Sequence, residues 1–317
     1  FQLGAFVVPV MAQDGTAVVL RTDYKYNGYI APFALALDRG YYAEAGLDVS
    51  IEQGQGSGTT VQTVGAGTDD FGVADASTAI LGITAQNIPV KLISVYTQTA
   101  TMGLIYHAKD GFSGNAADLK GKIIISSAGS ADLRLLEPAL ASAGMTLGDV
   151  DLQLVDPNAR VPLFLRTPGA FLTGFATGDF LRVTAHEADA GYVPYADFGV
   201  TAYGTGLVAS DDTIANRPEV VRAFVVASQK GWDAAIADPA AAVDASLKLY
   251  PDLDPAMIRA GLDIALSSQL HTAATEGKPV GWTEEADWVK TIDVLTNYAG
   301  LEPSEASRYY TNDFIAQ

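Results

Sequence analysis

The chain of 317 residues contains no cysteine. We therefore expect no disulfide, no thiolate metal site, no cysteine nucleophile and no lipid anchor on an N-terminal cysteine. Histidine is scarce too, because only His107, His186 and His271 occur and none has the short spacing of paired metal ligands. Serine-nucleophile motifs of hydrolases are also absent. The sequence thus predicts no catalytic residue, no metal site and no cofactor.

Positive charge is in short supply. Lysine and arginine total 19 against 37 aspartates and glutamates, which gives a formal net charge of -18 at pH 7. The acidic residues are spread along the chain, and no basic cluster interrupts them. A nucleic-acid backbone or an anionic membrane surface would be repelled by this field. We therefore expect neither as a partner.

Long hydrophobic runs are missing. No stretch of about 18 apolar residues occurs, so no segment is expected to insert into a membrane. The opening FQLGAFVVPVMAQDG is apolar and ends in Val10-Met11-Ala12, the small-x-small pattern that signal peptidase cuts, here before Gln13. We interpret residues 1–12 as the remnant of a signal peptide on an exported protein. A buried strand or an artificial extension is the alternative.

Strand-like and helix-like segments alternate through the first two thirds of the chain. TAVVLRTDY, a polar and aromatic loop, the helical pattern APFALALDRGYYAEAG and the alternating LDVSIEQ together predict a βαβ unit. Further strands are predicted in FGVA, VKLISVYTQT, GKIIIS, VDLQLVD, AFLTGFATGD and TAYGTGLVAS. From Arg217 to Gly300 four helical segments follow one another. The predicted fold class is α/β with a helical C-terminal segment.

The length and composition favour two lobes. A chain of 317 residues that is 49% hydrophobic is too long for one ordinary domain. The second α/β series, residues 109–204, has the size of an inserted lobe, and residues 13–108 with residues 205–317 would form the other. Ligands of open α/β sheets bind at the carboxyl ends of the strands. Two such rims facing each other would enclose a cleft.

Aromatic and amide side chains follow the first predicted strand, namely Tyr24, Tyr26, Asn27 and Tyr29. A tyrosine ring offers a flat apolar face at low entropic cost, and asparagine offers both a donor and an acceptor to a planar partner. We predict that these residues bind a planar heteroaromatic ligand that is neutral or weakly cationic. Packing of some rings beneath the sheet is the alternative.

Other strand ends carry polar side chains. Gln55 and Ser57 in GQGSG are predicted ligand contacts, because this loop lacks the lysine of a phosphate-binding loop. Asp75 in VADAST is predicted either to cap a helix or to accept a hydrogen bond from a ligand donor such as an exocyclic amine. The walls of the cleft are predicted to include Gln98, Thr99, Phe175, Thr177 and Asp179.

The segment SSAGS, residues 126–130, precedes a predicted helix of the second lobe. Ser127 and Ser130, together with backbone N–H groups and the helix dipole, form a candidate site for a carboxylate, sulfonate or phosphate. A buried anion needs strong compensation, and only Lys25 and Arg134 are near in sequence. A planar ring is therefore favoured over an anion.

Four segments carry a resemblance to a known family: APFALALDRGYYAEAGLDVSIEQGQGSGTTVQTVGAGTDDFGVADAST, PVKLISVYTQT, DLKGKIIISSAGS and AFLTGFATGD. They resemble the periplasmic solute-binding proteins of the NMT1/THI5-like group, which serves thiamine-pyrimidine precursors, sulfonates and nitrate. The resemblance implies a two-lobed type II periplasmic binding protein, each lobe a mixed sheet flanked by helices. It further implies a monomer that closes on a small molecule and delivers it to an ABC permease of the inner membrane.

Two other functions stay open. One is a receptor of the same fold for an anion such as an alkanesulfonate, taurine or nitrate. The other is a pyrimidine-synthesising enzyme on the same scaffold. The resemblance implies that such enzymes use a histidine in the aromatic loop and a cysteine-rich motif, and this chain has neither. We therefore expect a receptor rather than an enzyme.

Overall fold

The computed structural model describes residues 15–128, 130–267 and 270–316. The interpretation of residues 1–12 as a signal-peptide remnant lies outside these residues. One group of five strands comprises β1 (Thr16–Arg21), β2 (Leu47–Glu52), β3 (Phe71–Asp75), β4 (Val90–Val95) and β10 (Thr205–Ser210). The other comprises β5 (Met102–Tyr106), β6 (Ile123–Ser126), β7 (Asp151–Leu154), β8 (Phe171–Phe175) and β9 (Gly191–Pro194).

Each group forms one mixed sheet. The first sheet has the order β2-β1-β3-β10-β4, in which β1 runs parallel to β2 and β3 while β10 runs antiparallel to β3 and β4. The second has the order β7-β6-β8-β5-β9, in which β6 runs parallel to β7 and β8 while β5 runs antiparallel to β8 and β9. The predicted α/β fold with two mixed sheets is confirmed.

Helices flank both sheets. Those that precede the return to the first sheet are α1 (Ala31–Asp38), α2 (Tyr41–Glu44), α3 (Ser57–Gly65), α4 (Ala76–Ala85), α5 (Ala131–Arg134), α6 (Leu136–Ala141), α7 (Arg160–Leu165) and α8 (Leu181–Thr184). The helical C-terminal segment contains α9 (Asp211–Asn216), α10 (Pro218–Ala237), α11 (Pro239–Leu249), α12 (Pro255–Ser267) and α13 (Glu285–Tyr298). Among the described residues, no helix has the length and apolar character needed to cross a membrane.

The longest helix shows why these segments pack as they do. α10 begins with a proline at its first turn, where a missing N–H costs nothing, and buries Val221, Phe224 and Trp232 at helical spacing. Trp232 stacks on Tyr96, with ring centroids 4.8 Å apart, and Phe224 stacks on Phe71 of β3 at 4.1 Å. These contacts fix the C-terminal helices to the first sheet, so the first lobe is built from both ends of the described chain.

The chain changes sheet twice, and the first change comes earlier than predicted. β5, residues 102–106, pairs with β8 and β9 of the second sheet, which corrects the predicted boundary after residue 108. The error arose because β5 follows β4 closely in sequence, while its pairing partners lie far along the chain. The return crossing connects β9 to β10, which begins at Thr205.

The two crossing segments lie side by side and are hydrogen bonded to each other. The Ala100 N–H donates to the Ala202 carbonyl oxygen at 2.9 Å, and the Gly204 N–H donates to the Thr97 carbonyl oxygen at 2.9 Å. The Thr205 N–H donates to Thr97 Oγ1 at 2.5 Å. A Cβ atom on Gly204 would lie 2.5 Å from Thr97 Oγ1, so this close approach requires glycine. We call these two hydrogen-bonded segments, residues 97–100 and 202–205, the crossing ribbon.

Candidate functional site

Polar side chains of both lobes meet near the carboxyl ends of the parallel strands. Asp23 follows β1 and Asp75 ends β3, whereas Asp132 and Arg134 lie on α5 after β6. Arg134 donates a hydrogen bond to Thr78 Oγ1 on α4 at 3.1 Å, so the two lobes touch at this point. We call the region bounded by these five residues the interlobe cleft. Its position agrees with the general rule for ligand sites in open α/β sheets.

Asp75 caps a helix and leaves one carboxylate oxygen over. Its Oδ1 accepts hydrogen bonds from the Thr78 N–H at 2.8 Å and the Thr78 hydroxyl at 3.0 Å, while Oδ2 has no partner among the described residues. The residue is only 1% exposed. Burial raises the pKa of Asp75 to about 6; the Thr78 hydrogen bonds and the Arg134 charge oppose the rise, and the Asp132 charge adds to it. The two predicted roles of Asp75 are therefore compatible, since each uses a different oxygen.

Asp23 is the second carboxylate of the first lobe. The Tyr29 hydroxyl donates a short hydrogen bond to its Oδ1. Burial raises the pKa of Asp23 to about 6, the Tyr29 hydrogen bond opposes the rise, and the nearby Asp75 charge adds to it. Burial also raises the pKa of Tyr29 well above its usual value. The aromatic loop thus supplies a neutral phenol held against a carboxylate.

The second lobe holds a buried ionic network. Arg160 on α7 donates to Asp132 Oδ2 at 2.8 Å and to Asp179 Oδ2 at 2.9 Å, and the Thr173 hydroxyl donates to Asp132 Oδ2 at 2.5 Å. Asp179 also lies 3.6 Å from Arg182. Burial raises the pKa of Asp179, and the Arg160 charge opposes the rise. Asp132 Oδ1 has no hydrogen-bond partner within the described part of the chain.

Two hydroxyl groups are also buried without a hydrogen-bond partner in the part of the chain that the structure describes. Ser77 Oγ on the first turn of α4 and the Tyr195 hydroxyl are buried, and neither has a hydrogen-bond partner among the described residues. Burial and then the Asp132 charge raise the pKa of Tyr195 well above its usual value, so this phenol is near Asp132 and neutral. Buried polar atoms are normally hydrogen bonded, so each of these unpartnered atoms is open to a partner from a ligand or from water.

The aromatic loop divides between core and cleft. Tyr26 is buried, its hydroxyl donates to Ser246 Oγ at 2.8 Å, and its ring packs on Tyr250 at 5.2 Å. The prediction that Tyr26 contacts ligand is corrected, because it is a core residue. The Asn27 amide oxygen accepts the Tyr29 N–H at 3.2 Å and caps a short 3₁₀ turn, Gly28–Ile30, so this oxygen is already used. Tyr24 is half-buried and stays the candidate stacking ring.

Three predicted polar contacts use their side chains inside a lobe. The Gln98 amide donates to the Val95 and Trp282 carbonyl oxygens and accepts from Thr275 Oγ1 at 2.6 Å. Both amide N–H groups of Gln98 are thus used inside the first lobe, and its place in the cleft wall stays a prediction. The Ser127 hydroxyl donates to the Val155 carbonyl oxygen at 2.8 Å, and the Ser130 hydroxyl donates to the Ser127 carbonyl oxygen at 2.9 Å. Their donors are therefore engaged, which weakens the predicted anion site.

The remaining candidates stay predictions. Ser57 Oγ accepts the Asp75 N–H at 3.1 Å and so supports the base of the cleft. Gln55 is exposed and Thr99 is half-buried in the crossing ribbon. Phe175 is half-buried against the second-lobe core, and Thr177 is buried in a π-helical turn, Ala176–Phe180, a type of turn that is common at functional sites.

Sequence reasoning missed much of the second-lobe network. Asp132 and Arg160 are 28 residues apart, and no local pattern connects them. Thr173 and Tyr195 read as ordinary strand and turn residues. Asp23 could have been found, because it lies at the end of β1 within the same stretch as the tyrosines. Its position between a threonine and a tyrosine is the signal that was overlooked.

The histidines do not converge on the cleft. The buried His107 hydrogen bonds through Nδ1 to Glu187 at 2.7 Å, His271 lies 3.1 Å from the Thr275 carbonyl oxygen, and His186 is exposed. Among the residues that the structure describes, no group of three or more histidine, aspartate or glutamate side chains is placed to hold a metal ion.

Comparisons with known proteins agree with this architecture. The alkanesulfonate-binding protein SsuA of Xanthomonas axonopodis pv. citri, solved with MOPS, superposes with a TM-score of 0.69 at 13% identity over 94% of this chain and 99% of its own. The riboflavin-binding protein RibY of Chloroflexus aurantiacus is 28% identical over 94% of this chain and 86% of its own. The chain thus has the fold of the periplasmic solute-binding proteins, a fold that binds small molecules.

Two further relatives carry pyrimidine names. The formylaminopyrimidine-binding protein of Halalkalibacterium halodurans is 22% identical over 90% of this chain and 86% of its own. The 4-amino-5-hydroxymethyl-2-methylpyrimidine phosphate synthase of Uromyces fabae is 23% identical over 96% of this chain and 89% of its own. A family model described as "NMT1/THI5 like" matches residues 27–242. That match spans most of the chain, which therefore belongs to the NMT1/THI5-like family.

Proposed function

We propose that this protein is the substrate-binding component of an ABC importer and that it closes on a small planar heteroaromatic ligand of the pyrimidine type. The observation that carries the proposal is the excess of hydrogen-bond acceptors in the interlobe cleft, next to a half-buried tyrosine ring. Three carboxylates bound the cleft, namely Asp23, Asp75 and Asp132. A ligand held here must supply N–H or O–H donors.

The charge balance separates a ring from an anion. Arg160 is occupied by Asp132 and Asp179, and Arg134 contacts Thr78 beside Asp75. A sulfonate or nitrate would have to enter a region whose carboxylates outnumber these arginines, and a buried anion without compensation is costly. A neutral or weakly cationic ring meets no such penalty.

Tyr24 supplies the apolar part of the proposed site. Its ring follows β1, adjoins Asp23 in the chain and is half-buried. Stacking of a planar ring on an aromatic side chain is worth about 1–3 kcal/mol. Together with two or three hydrogen bonds to charged acceptors, such a contact is sufficient for micromolar binding.

The names of the relatives fit this ligand class. Riboflavin and formylaminopyrimidine, in the names of two relatives, both contain planar nitrogen rings with hydrogen-bond donors. We extend that chemistry to this chain as part of the proposal. Delivery to a permease, a periplasmic location and a monomeric state are proposed with it, on the ground of the shared fold.

An enzyme of pyrimidine synthesis is the second candidate, because relatives of similar length carry a synthase name. The absence of cysteine and the wide separation of the three histidines speak against it. Incubating the purified protein with iron and pyridoxal phosphate, followed by mass spectrometry for a pyrimidine product, tests this candidate. Product formation above a no-protein control would favour the enzyme.

A thermal-shift screen tests the proposed receptor directly. We expect 4-amino-5-hydroxymethyl-2-methylpyrimidine or riboflavin to raise the melting temperature in a concentration-dependent way. Ethanesulfonate, taurine and nitrate are expected to leave it unchanged at the same concentrations. Stabilisation by the anions alone would refute the planar-ring proposal and favour the anion receptor.

A further inference from the structure

We propose that Asp75 Oδ2 and Asp132 Oδ1 form an acceptor pair, one atom from each lobe, that binds the two hydrogens of a primary amine on the ligand ring. This inference rests on the proposed function, because it assumes that a planar ring occupies the interlobe cleft. It adds the position of the specificity-determining contacts and the substituent that they select.

Each carboxylate is divided in the same way. One oxygen is fixed inside its own lobe: Asp75 Oδ1 by the Thr78 N–H and hydroxyl, and Asp132 Oδ2 by Arg160 and the Thr173 hydroxyl. The other oxygen has no partner within the described residues, although both side chains are 1% exposed. The fixed oxygen sets the orientation of the group, so the second oxygen is held ready for a donor.

Both carboxylates lie beside the contact between the lobes. Arg134 follows Asp132 on α5 and reaches Thr78, the residue that also binds Asp75, so the lobes are joined beside both carboxylates. The charges of Asp132 and Arg134 act on the pKa of Asp75 in opposite directions, which agrees with this placement beside the interlobe contact. Two buried acceptors of like charge repel each other unless donors come between them.

A primary amine on a ring fits such a pair. Its two N–H bonds diverge in the plane of the ring, so one can donate to each lobe, and a basic ring nitrogen beside it spreads positive charge toward both carboxylates. An exocyclic carbonyl oxygen at the same position would present an acceptor to two acceptors. The pair should therefore select a 4-aminopyrimidine over the corresponding 4-oxopyrimidine.

Asparagine substitutions test the pair with little change of shape. In Asp75→Asn the amide oxygen can still cap α4, and in Asp132→Asn it can still accept from Arg160 and Thr173, while the free oxygen becomes an NH₂ donor. Asp70→Asn is the matched control, because Asp70 lies before the start of β3, at the opposite end of that strand from Asp75. The probes are 4-amino-5-hydroxymethyl-2-methylpyrimidine and its 4-oxo analogue, titrated calorimetrically.

We expect the wild type to prefer the amino probe by at least about tenfold, the expected value of one hydrogen bond to a charged group. Each cleft substitution should weaken binding of the amino probe by at least about tenfold and strengthen binding of the oxo probe. Asp70→Asn should change neither affinity. This exchange of preference is a readout that a general loss of stability would not produce.

Three results would overturn the inference, and they differ in what else they affect. If the wild type binds both probes equally and the Asn variants do the same, the pair is refuted while the ring receptor stands. If the variants weaken both probes equally, the carboxylates are structural and select nothing. If the wild type binds no ring compound, the proposed function fails and the pair fails with it. Thermal melting of each unliganded variant checks that it is folded. Because the two substitutions lie in different lobes, the inference can be tested with one variant if the other does not fold.

Discussion

The two lobes present carboxylates to the cleft in contrasting ways. In the second lobe, Asp132 and Asp179 are bridged by the buried Arg160. In the first lobe, Asp23 and Asp75 are held by the hydroxyls of Tyr29 and Thr78, and neither forms an ion pair among the described residues. In the second lobe the charge of the carboxylates is therefore partly neutralised by Arg160. In the described part of the first lobe, no cation of the same lobe pairs with Asp23 or Asp75.

The two pairs of carboxylates should therefore differ in how their protonation depends on pH. An arginine between two carboxylates fixes both of them over a wide pH range, because its own charge is never lost. Asp23 and Asp75 have no such cation among the described residues of their own lobe, and burial raises the pKa of each to about 6, although the hydrogen bonds from Tyr29 and Thr78 oppose the rise. The second-lobe carboxylates are thus paired with an arginine of their own lobe, whereas Asp23 and Asp75 are not, as far as the structure describes the chain.

Removing the bridge should have the largest effect. We expect Arg160→Met to lower the free energy of unfolding by about 3–5 kcal/mol, because it leaves the buried Asp132 without its partner cation and Asp179 with only the more distant Arg182 among the described residues. Urea denaturation measures the change. Arg182→Met is the control, since Arg182 is 45% exposed and 3.6 Å from Asp179, and an exposed ion pair contributes less than about 1 kcal/mol. Equal losses in both variants would mean that the bridge has no special role.

The buried Asp75 of the first lobe should make the free energy of unfolding depend on pH. The pKa of Asp75 lies at about 6 in the folded protein against 3.8 for the free side chain, so the folded state binds this proton more tightly than the unfolded state. Stability of the unliganded protein should therefore fall as pH rises from about 4 to about 6, by up to about 3 kcal/mol from this group, and level off above.

The difference between the wild type and Asp75→Asn isolates this contribution. We expect the variant to gain stability relative to the wild type as pH rises through the same interval, as followed by urea denaturation at a series of pH values. A constant difference from pH 4 to pH 7 would show that Asp75 is not held in an unfavourable charged state.

Substitutions of Tyr24, the proposed stacking ring, and of Tyr26, a core ring, should have different effects. We expect Tyr24→Ala to weaken binding of riboflavin or 4-amino-5-hydroxymethyl-2-methylpyrimidine by about 1–3 kcal/mol, because a stacking face is lost. Calorimetric titration measures the affinity, and thermal melting should change little since Tyr24 is half-buried. Unchanged affinity would place the ligand away from the aromatic loop.

Tyr26→Phe should give the opposite and smallest result. The substitution removes only the hydroxyl that donates to Ser246 Oγ at 2.8 Å, so we expect a loss of about 1 kcal/mol in unfolding free energy. Ligand affinity should stay the same. A loss of affinity without a loss of stability would return Tyr26 to the binding site.

The sequence foretold the scaffold better than the contacts. Periodicity and turn residues were sufficient for most strands and for the C-terminal helices, because these patterns are local. β5 was assigned to the wrong lobe, since strand pairing depends on residues far along the chain. Tyr26 and Tyr29 look equivalent in sequence, yet one binds Ser246 in the core and the other binds Asp23. The Asp132–Arg160 pair exists only after folding has brought α5 and α7 together.

The crossing ribbon has a mechanical consequence. Two segments that are hydrogen bonded to each other can bend together, but they resist sliding past each other. We therefore expect any relative motion of the two lobes to be a rotation about the crossing ribbon. The protein with an occupied cleft and the protein with an empty cleft would then differ mainly in the angle between the lobes. A second protein could recognise that angle without contacting the ligand.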